Sequence, residues 1–224
     1  MEQNTPTVIR LRFRKTGPIR FISHLDLTRA FHRALARAEI PIRFSEGFSP
    51  HPRFTFALPL SVGMESLCEV ADFHLRDGAF MKPGEIWERL ARQLPAGIEI
   101  TDCALAAGKL GEIAFARYEV RLHAVPPALA GAVERSLAGA LFIENKNKKG
   151  KTVTKEISGG IHAAALAPLP EGGTLLSLTL AAGGETVLAP DSVLQALADA
   201  LPGFDKTGRR ITRLALLRAD GSEF

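Results

Sequence analysis

The sequence has few of the features that mark secreted, membrane-inserted or metal-cluster proteins. Its 224 residues contain two cysteines, Cys68 and Cys103, which lie far apart and form no CxxC arrangement. This argues against a disulfide framework and predicts a reduced, cytoplasmic setting. No apolar run approaches the ~20 residues that a membrane span needs, and the first residues show no apolar core of a signal peptide. We therefore expect no membrane association.

Motifs of common catalytic sites are equally scarce. None of the six histidines lies in an HExxH motif, no GxSxG elbow occurs, and "GKTVTK" lacks the upstream glycine of a P-loop. His24 and His32 are eight residues apart, a poor spacing for joint metal ligation. The run "SHLD" is explained better by helix capping than by a Ser-His-Asp triad. We expect neither a metal nor another cofactor, and the sequence favours a non-enzymatic role.

The charged residues are unevenly distributed. Residues 1–53 contain ten lysines and arginines against four acids, a balance of +6 in a chain whose net charge is +4. Residues 65–102 reverse this balance, with eight acids against four bases. The pattern predicts a basic surface near the N-terminus and an acidic one in the segment that follows.

The periodicity of apolar residues predicts two successive α+β units. Residues 8–15 alternate between apolar and basic side chains, which is typical of a half-buried strand. Ser23 and Asp26 resemble a capping box at the start of a helix that ends near residue 38. With the later strands and a helix that begins at Pro83, the order is β-α-β-β-α-β, the ferredoxin-like motif. Residues 118–218 repeat this order with an extra hairpin. We predict two tandem ferredoxin-like units with antiparallel sheets, residues 1–107 and 108–224.

A row of arginines is expected on the open face of the first sheet. Helices cover one face of such a sheet, so Arg10, Arg12 and Arg14 project from the other if the intervening apolar residues face the helices. Guanidinium groups grip phosphates through planar forks of donors. The alternative is a solvated strand face on which the arginines pair with acids such as Glu69 and Asp72. The arginines of the first helix are expected to be ordinary exposed residues.

The segment "FSEGFSPHPRFTFALPLSVGMES", residues 44–66, predicts a stiff loop. Gly47 permits a backbone conformation that other residues avoid, and Pro50 and Pro52 restrict their neighbours to extended geometry. A rigid loop with polar groups at Ser49 and His51 binds a ligand at a low cost in ordering entropy. The alternative is a connector packed by its own phenylalanines.

Three stretches resemble a known family. The sequences "RFISHLDLTRAFHRALARA", "FSEGFSPHPRFTFALPLSVGMES" and "CEVADFHL" are similar to the signature of the bacterial radical-SAM-associated (radical-SAM-linked) family, whose biochemical function is unknown. The resemblance is dense over residues 8–105 and loose afterwards. It implies a radical SAM enzyme as partner, in work on RNA, and it supplies no catalytic residues. Because a [4Fe–4S] cluster needs closely spaced cysteine thiolates, this chain is not itself the radical enzyme.

Three hypotheses about function follow. The first is an RNA-binding accessory protein that holds RNA through phosphate contacts. The second is a metal-independent endoribonuclease similar to the tandem ferredoxin-like CRISPR enzymes, with His24 or His51 as acid–base group and Lys15 or Arg53 stabilising the phosphate. The third is a protein-docking subunit that uses the acidic segment of residues 65–102. The predicted nucleic-acid-binding residues are Arg10, Arg12, Arg14, Lys15, Arg20, Arg29, Arg33, Ser49, His51, Arg53, Lys148 and Lys149.

Overall fold

The computed structural model describes residues 7–123, 125, 127–146, 152–184 and 186–224. The chain divides into two compact units, Met1–Leu110 and Gly111–Phe224. The predicted boundary, after residue 107, lies within the same connecting segment.

The first unit has six main elements in the order β-α-β-β-α-β. A 3-10 turn, Gly17–Phe21, joins the first strand to the first helix. That helix begins at Ser23, whose side chain accepts the backbone N–H of Asp26, as the capping pattern predicted. The elements are β1 (Val8–Lys15), α1 (His24–Arg37), β2 (Phe54–Phe56), β3 (Glu65–His74), α2 (Pro83–Ala91) and β4 (Ile98–Leu105).

The sheet of the first unit is antiparallel, with the strand order β4-β1-β3-β2. Alternate residues of β1 point into the core, where Ile9, Leu11 and Phe13 are buried against Phe31 of α1 and Leu90 of α2. Each such side chain contributes ~1.5–3 kcal/mol by leaving water. The apolar positions of β1 therefore face the helices, and Arg10, Arg12 and Arg14 lie on the other side of the strand.

The second unit has a longer series of elements, because a hairpin is inserted after its first helix. Its strand order is β11-β5-β9, and β8 and the short β10 both pair with the opposite side of β9. Strands β6 and β7 form the separate hairpin. The elements are β5 (Phe115–Leu122), α3 (Pro127–Ala138), β6 (Phe142–Lys146), β7 (Thr152–Glu156), β8 (Ile161–Pro168), β9 (Thr174–Gly183), β10 (Thr186–Val187), α4 (Pro190–Ala200) and β11 (Arg210–Leu217).

The predicted α+β class with mainly antiparallel strands is confirmed, and the tandem ferredoxin-like assignment stays a prediction. Strand β2 is short and ends at Phe56. Pro59 has no backbone N–H to offer a sheet, and Leu58 and Leu60 instead bury their side chains. In the part of the chain that the structure describes, no helix is both long and apolar enough to cross a membrane.

Candidate functional site

Arg10 is a buried structural residue. Its guanidinium donates two hydrogen bonds of 2.8 Å to the carboxylate of Asp72, which lies opposite it on β3. It donates two more to the carbonyl oxygens of Ala107 and Gly108, at 2.5 and 3.1 Å. The side chain is 6% exposed. Arg10 thus joins β1, β3 and the segment after β4, and it is not available to a ligand.

The other two arginines of β1 also lie beside carboxylates. Arg12 is 3.9 Å from Asp102, and Arg14 is 3.8 Å from Glu99, both on β4. These pairs are exposed and loose, so each is worth about 0–1 kcal/mol. Together with the pair of Arg10, they match every positive charge of the row with a negative one. The row is therefore not the positively charged phosphate-binding surface that the sequence suggested, and the alternative of ion-paired arginines describes it better.

Lys15 and Arg20 lie in a cluster around the turn after β1. Lys15 is 1% exposed, and its Nζ is 3.4 Å from the carbonyl oxygen of Arg20. The carboxylate of Glu65 accepts the backbone N–H of Gly17 at 2.7 Å and lies 3.8 Å from the guanidinium of Arg20. These contacts hold the turn against the start of β3. Lys15 is too deeply buried to touch RNA or to act on a substrate.

The arginines of α1 are exposed, as predicted, but they differ in their partners. Arg29 pairs with Asp26 at 3.1 Å, and Arg37 donates to the side chain and the carbonyl oxygen of Gln93. Arg33 donates its Nε to the carbonyl oxygen of Arg29 at 3.3 Å. Within the described ranges, no carboxylate lies within 4.0 Å of Arg33. Arg33 and Arg37 are thus the α1 arginines without a carboxylate partner in the described structure.

The glycine- and proline-rich segment folds into a short hairpin, residues 44–52, which we call the Gly-Pro hairpin. Phe44 and Pro52 form an antiparallel bridge. Ser45 donates its N–H to the carbonyl oxygen of His51 at 2.8 Å, and its Oγ accepts the N–H of His51 at 3.1 Å and lies 2.9 Å from Nδ1 of the same ring. Gly47 turns the chain with φ of 118°, which favours glycine. The hairpin is therefore held in one shape before any ligand arrives.

The tip of the Gly-Pro hairpin carries an aromatic ring in solvent. Phe48 is fully exposed, and Phe44 at the base is half exposed. Ser49 beside Phe48 is also exposed. A ring in this position gains nothing from the core, whereas it offers a flat apolar face to a base or to a protein pocket. Because the backbone is already fixed, little ordering entropy is lost when the ring is covered.

The hairpin is flanked by positively charged or protonatable groups. Arg53 follows it and is exposed, and no carboxylate within the described part of the chain pairs with it. Burial lowers the pKa of His32 on α1, and the nearby His51 lowers it further. Burial likewise lowers the pKa of His74, with added repulsion from Arg53 and Arg43. Arg53 is thus an exposed positive charge beside the hairpin, whereas Arg43 pairs with Glu46 and Asp77.

Of the residues proposed for a ribonuclease, His51 and Arg53 lie at the Gly-Pro hairpin, whereas Lys15 lies at the other end of the sheet. Lys15 pairs across the sheet with Ser66, at one end of β3, while the Gly-Pro hairpin joins the sheet beside His74, at the other end. Eight residues of strand separate these positions, or ~26 Å at ~3.3 Å per residue. The structure therefore separates His51 from Lys15. His24 packs its ring against Phe56. Among the described residues, no group of three His, Cys, Asp or Glu side chains is arranged to hold a metal ion.

The structure thus brings Ser49, His51 and Arg53 together at one hairpin and leaves the remaining predicted residues elsewhere. Lys148 and Lys149 lie outside the described residues. Phe48 and His32 were not among the predicted site residues. The position of Phe48 between Gly47 and two prolines indicates that its side chain is exposed, because a stiff turn keeps an apolar residue from reaching the core.

The structure therefore shows an α+β protein of two units, the first of which presents a preorganised hairpin with an exposed aromatic side chain at its tip. The chain belongs to the family described as "Uncharacterized protein conserved in bacteria (DUF2344)", whose model matches residues 8–190. This confirms the predicted bacterial family of unknown function, while the link to radical SAM enzymes stays a prediction. No curated protein matches the chain.

A solved structure described as "Crystal Structure of an Unknown Protein from Galdieria sulphuraria" is similar to the chain at 16% identity. The match covers 93% of this chain and 97% of the other, with a TM-score of 0.28. A likeness at this level carries no argument about fold or function.

Proposed function

We propose that the protein is a non-catalytic RNA-binding accessory protein that holds single-stranded RNA at the Gly-Pro hairpin. The observation that carries the proposal is the fully exposed ring of Phe48 at the tip of a hairpin closed by Ser45 and His51. Proteins recognise unpaired RNA by stacking its splayed bases on aromatic side chains. Such stacking is worth ~1–3 kcal/mol per base and needs no particular base identity.

The charges near the hairpin suit a small number of phosphate contacts. Arg53 is exposed beside the hairpin and has no carboxylate within 4.0 Å in the described structure, whereas Arg33 lies on the side of α1 that faces Gln93 and Leu94. One phosphate contact by Arg53 on a single strand predicts that log K falls with log salt with a slope of about −0.7. That slope is shallow for an RNA-binding protein, because the arginines of β1 are already neutralised by Asp72, Asp102 and Glu99.

We propose further that the bound RNA is presented to a radical SAM enzyme for modification or processing. The support is the resemblance of residues 8–105 to radical-SAM-associated proteins, together with the shortage of cysteines, which leaves this chain unable to hold the cluster itself. Both points are consistent with an arrangement in which this protein binds the RNA and the radical SAM enzyme performs the reaction.

We also propose that both units are ferredoxin-like. In support, the strand order β4-β1-β3-β2 of the first unit has a counterpart in the order β11-β5-β9-β8 of the second, with all pairs antiparallel. The hairpin β6–β7 is an insertion between the first helix and the second strand of that scheme. In this arrangement helices occupy one face of each sheet.

Fluorescence anisotropy with a short labelled single-stranded RNA tests the RNA proposal. We expect Phe48→Ala to weaken binding by ~5- to 150-fold, which corresponds to ~1–3 kcal/mol. The matched control is Phe80→Ala, which removes another largely exposed ring, 73% accessible, from the same unit but outside the hairpin. It should change the affinity less than twofold. No binding by the natural protein at ~50 mM salt, where phosphate contacts are strong, or equal effects of the two variants, would refute the proposal.

A protein-docking subunit is the second candidate. It is favoured by a different observation: Phe21, Leu25 and Val62, at the other end of the first unit, are each more than half exposed. The ring of Phe21 approaches Gly63, which places it beside Val62. Pull-down of a radical SAM enzyme from the native cell by the natural protein, lost in Phe21→Ser but kept in Phe48→Ala, would support docking at that end.

A further inference from the structure

Strand β8 is an edge strand whose outer side is open. It pairs with β9 from Ile161 to Pro168, and in the described part of the chain it pairs with no other strand. A register shift near Ile161 leaves residues 163–168 in regular alignment. An edge of this kind presents a row of unpaired N–H and C=O groups, which is a template for an additional strand.

Two other edge strands, β2 and β4, show how such templates are usually blocked. Strand β2 is three residues long and lies between Pro52 and Pro59. Strand β4 carries the charged side chains of Glu99 and Asp102. Short length, proline and charge are the devices by which proteins prevent edge pairing. Strand β8 is eight residues long, contains no Asp, Glu, Lys or Arg, and has its single proline, Pro168, at its last position, since its sequence is IHAAALAP.

A groove of about 630 Å³ lies beside β8. Its walls are β8 itself and the end of α3, including Glu134, Leu137 and Ala138. Ala163, Ala164 and Ala165 are exposed and line the groove on the strand side. An added strand would place alternate side chains in this space, as in strand-addition complexes, where backbone bonds supply affinity and pockets receive side chains.

The uncharged sequence of β8 indicates which kind of strand can pair with it. Antiparallel pairing of a strand with its own copy across a two-fold axis places the central residue opposite itself, so a strand with a charged residue at its centre is a poor self-partner. Strand β8 is neutral and avoids this repulsion. Antiparallel self-pairing centred on Ala165 would also set Leu166 of one copy opposite Ala164 of the other, so that a bulky residue meets a small one. We propose that β8 is the interface of a homodimer, in which two copies pair antiparallel through β8 and fill the neighbouring grooves.

The size of this surface predicts a weak dimer. Six to eight paired residues and one groove on each copy lie at the low end of specific interfaces, below ~1,200 Å². We therefore expect self-association in the micromolar range, with mostly monomer at ~1 µM and mostly dimer at ~300 µM. This interface lies in the second unit, so it neither requires nor excludes RNA binding at the Gly-Pro hairpin.

Analytical ultracentrifugation over that concentration range tests the proposal. Ala165→Lys places two ammonium groups opposite each other at the axis and should leave the protein monomeric at every concentration. The control is Ala36→Lys, at an exposed alanine of α1, which should dimerise like the natural protein. A natural protein that stays monomeric throughout, or a dimer that survives Ala165→Lys, would overturn the proposal.

A cross-link provides a readout that does not depend on a disruptive substitution. In a background in which Cys68 is replaced by serine, Ala165→Cys should form an intermolecular disulfide under mild oxidation, because residues opposite each other in an antiparallel pair have Cβ atoms ~4.5–5.5 Å apart. Ala36→Cys in the same background should remain monomeric. Equal cross-linking of the two variants would mean random collision and would count against the interface.

Discussion

Replacing Arg10 by alanine is expected to destabilise the first unit strongly, although Arg10 belongs to a row that the sequence suggested was exposed. The substitution leaves the carboxylate of Asp72, which is 14% exposed, without its two hydrogen bonds. It also leaves the carbonyl oxygens of Ala107 and Gly108 without these donors. Removing one partner of a buried ion pair costs ~3–5 kcal/mol. Because Asp72 has slight access to water, we expect a loss near ~3 kcal/mol, at the low end of that range.

The measurement is urea unfolding followed by tryptophan fluorescence. The chain has one tryptophan, Trp87, and it lies on α2, so its signal reports on the first unit. With a denaturant slope of ~2 kcal/mol per molar, a loss of ~3 kcal/mol lowers the urea midpoint by ~1.5 M. The matched control is Arg14→Ala, which removes an exposed arginine 3.8 Å from Glu99 and should cost less than ~1 kcal/mol.

Two further variants separate charge from packing at this position. Arg10→Met keeps most of the aliphatic stem, so it should be nearly as destabilising as Arg10→Ala if the unpaired Asp72 is the main cost. Adding Asp72→Leu to Arg10→Met should then recover much of the loss, because a buried ion pair can be exchanged for apolar residues at little cost. If Arg10→Ala and Arg14→Ala shift the midpoint equally, the assignment of Arg10 as a buried clamp is wrong.

Two other predictions concern titratable groups. Burial, assisted by the charge of Asp102, raises the pKa of Cys103 to about 12, so at pH 8 only ~1 in 10⁴ of these thiols is ionised. Iodoacetamide should label the half-buried Cys68 first and Cys103 only after unfolding; equal labelling of the native protein, seen by peptide mass spectrometry, would contradict this. The folded-state pKa values of His32 and His74 are lowered, so protonation favours the unfolded chain. The urea midpoint should therefore be highest above pH ~6.5 and fall as the pH drops below it, with a weaker dependence in His32→Gln; a midpoint that rises on acidification would refute this sign.

The course of the first strand could be predicted from the sequence, but the neighbours of its arginines could not. The alternation of residues 8–15 correctly assigned Ile9, Leu11 and Phe13 to the helix-covered side. Which acids lie beside Arg12 and Arg14 depends on the register with β4, and that register shifts between Arg12 and Phe13. No local sequence pattern predicts such a β-bulge. Long-range pairing therefore decided whether the row was charged or neutral.

The Gly-Pro hairpin could also be predicted only in part from the sequence. Glycine and proline identify a stiff turn because they restrict or extend the allowed backbone angles. They do not reveal that Ser45 and His51, six residues apart, close the hairpin by three contacts. The site residues His51 and Arg53 were found because they are chemically conspicuous, whereas Phe48 was overlooked because an apolar residue is expected to be buried.

The neutralised row on β1 changes how the basic character of this chain should be understood. A sequence pI near 9.3 suggests a general attraction to polyanions. Yet a guanidinium with a carboxylate less than 4 Å away acts at a distance as a dipole, and its field fades well within the ~8 Å over which physiological salt screens a charge. Retention on a cation exchanger would therefore depend on cations other than Arg10, Arg12 and Arg14. Polyanionic partners of the first unit must therefore be attracted by cations outside this row.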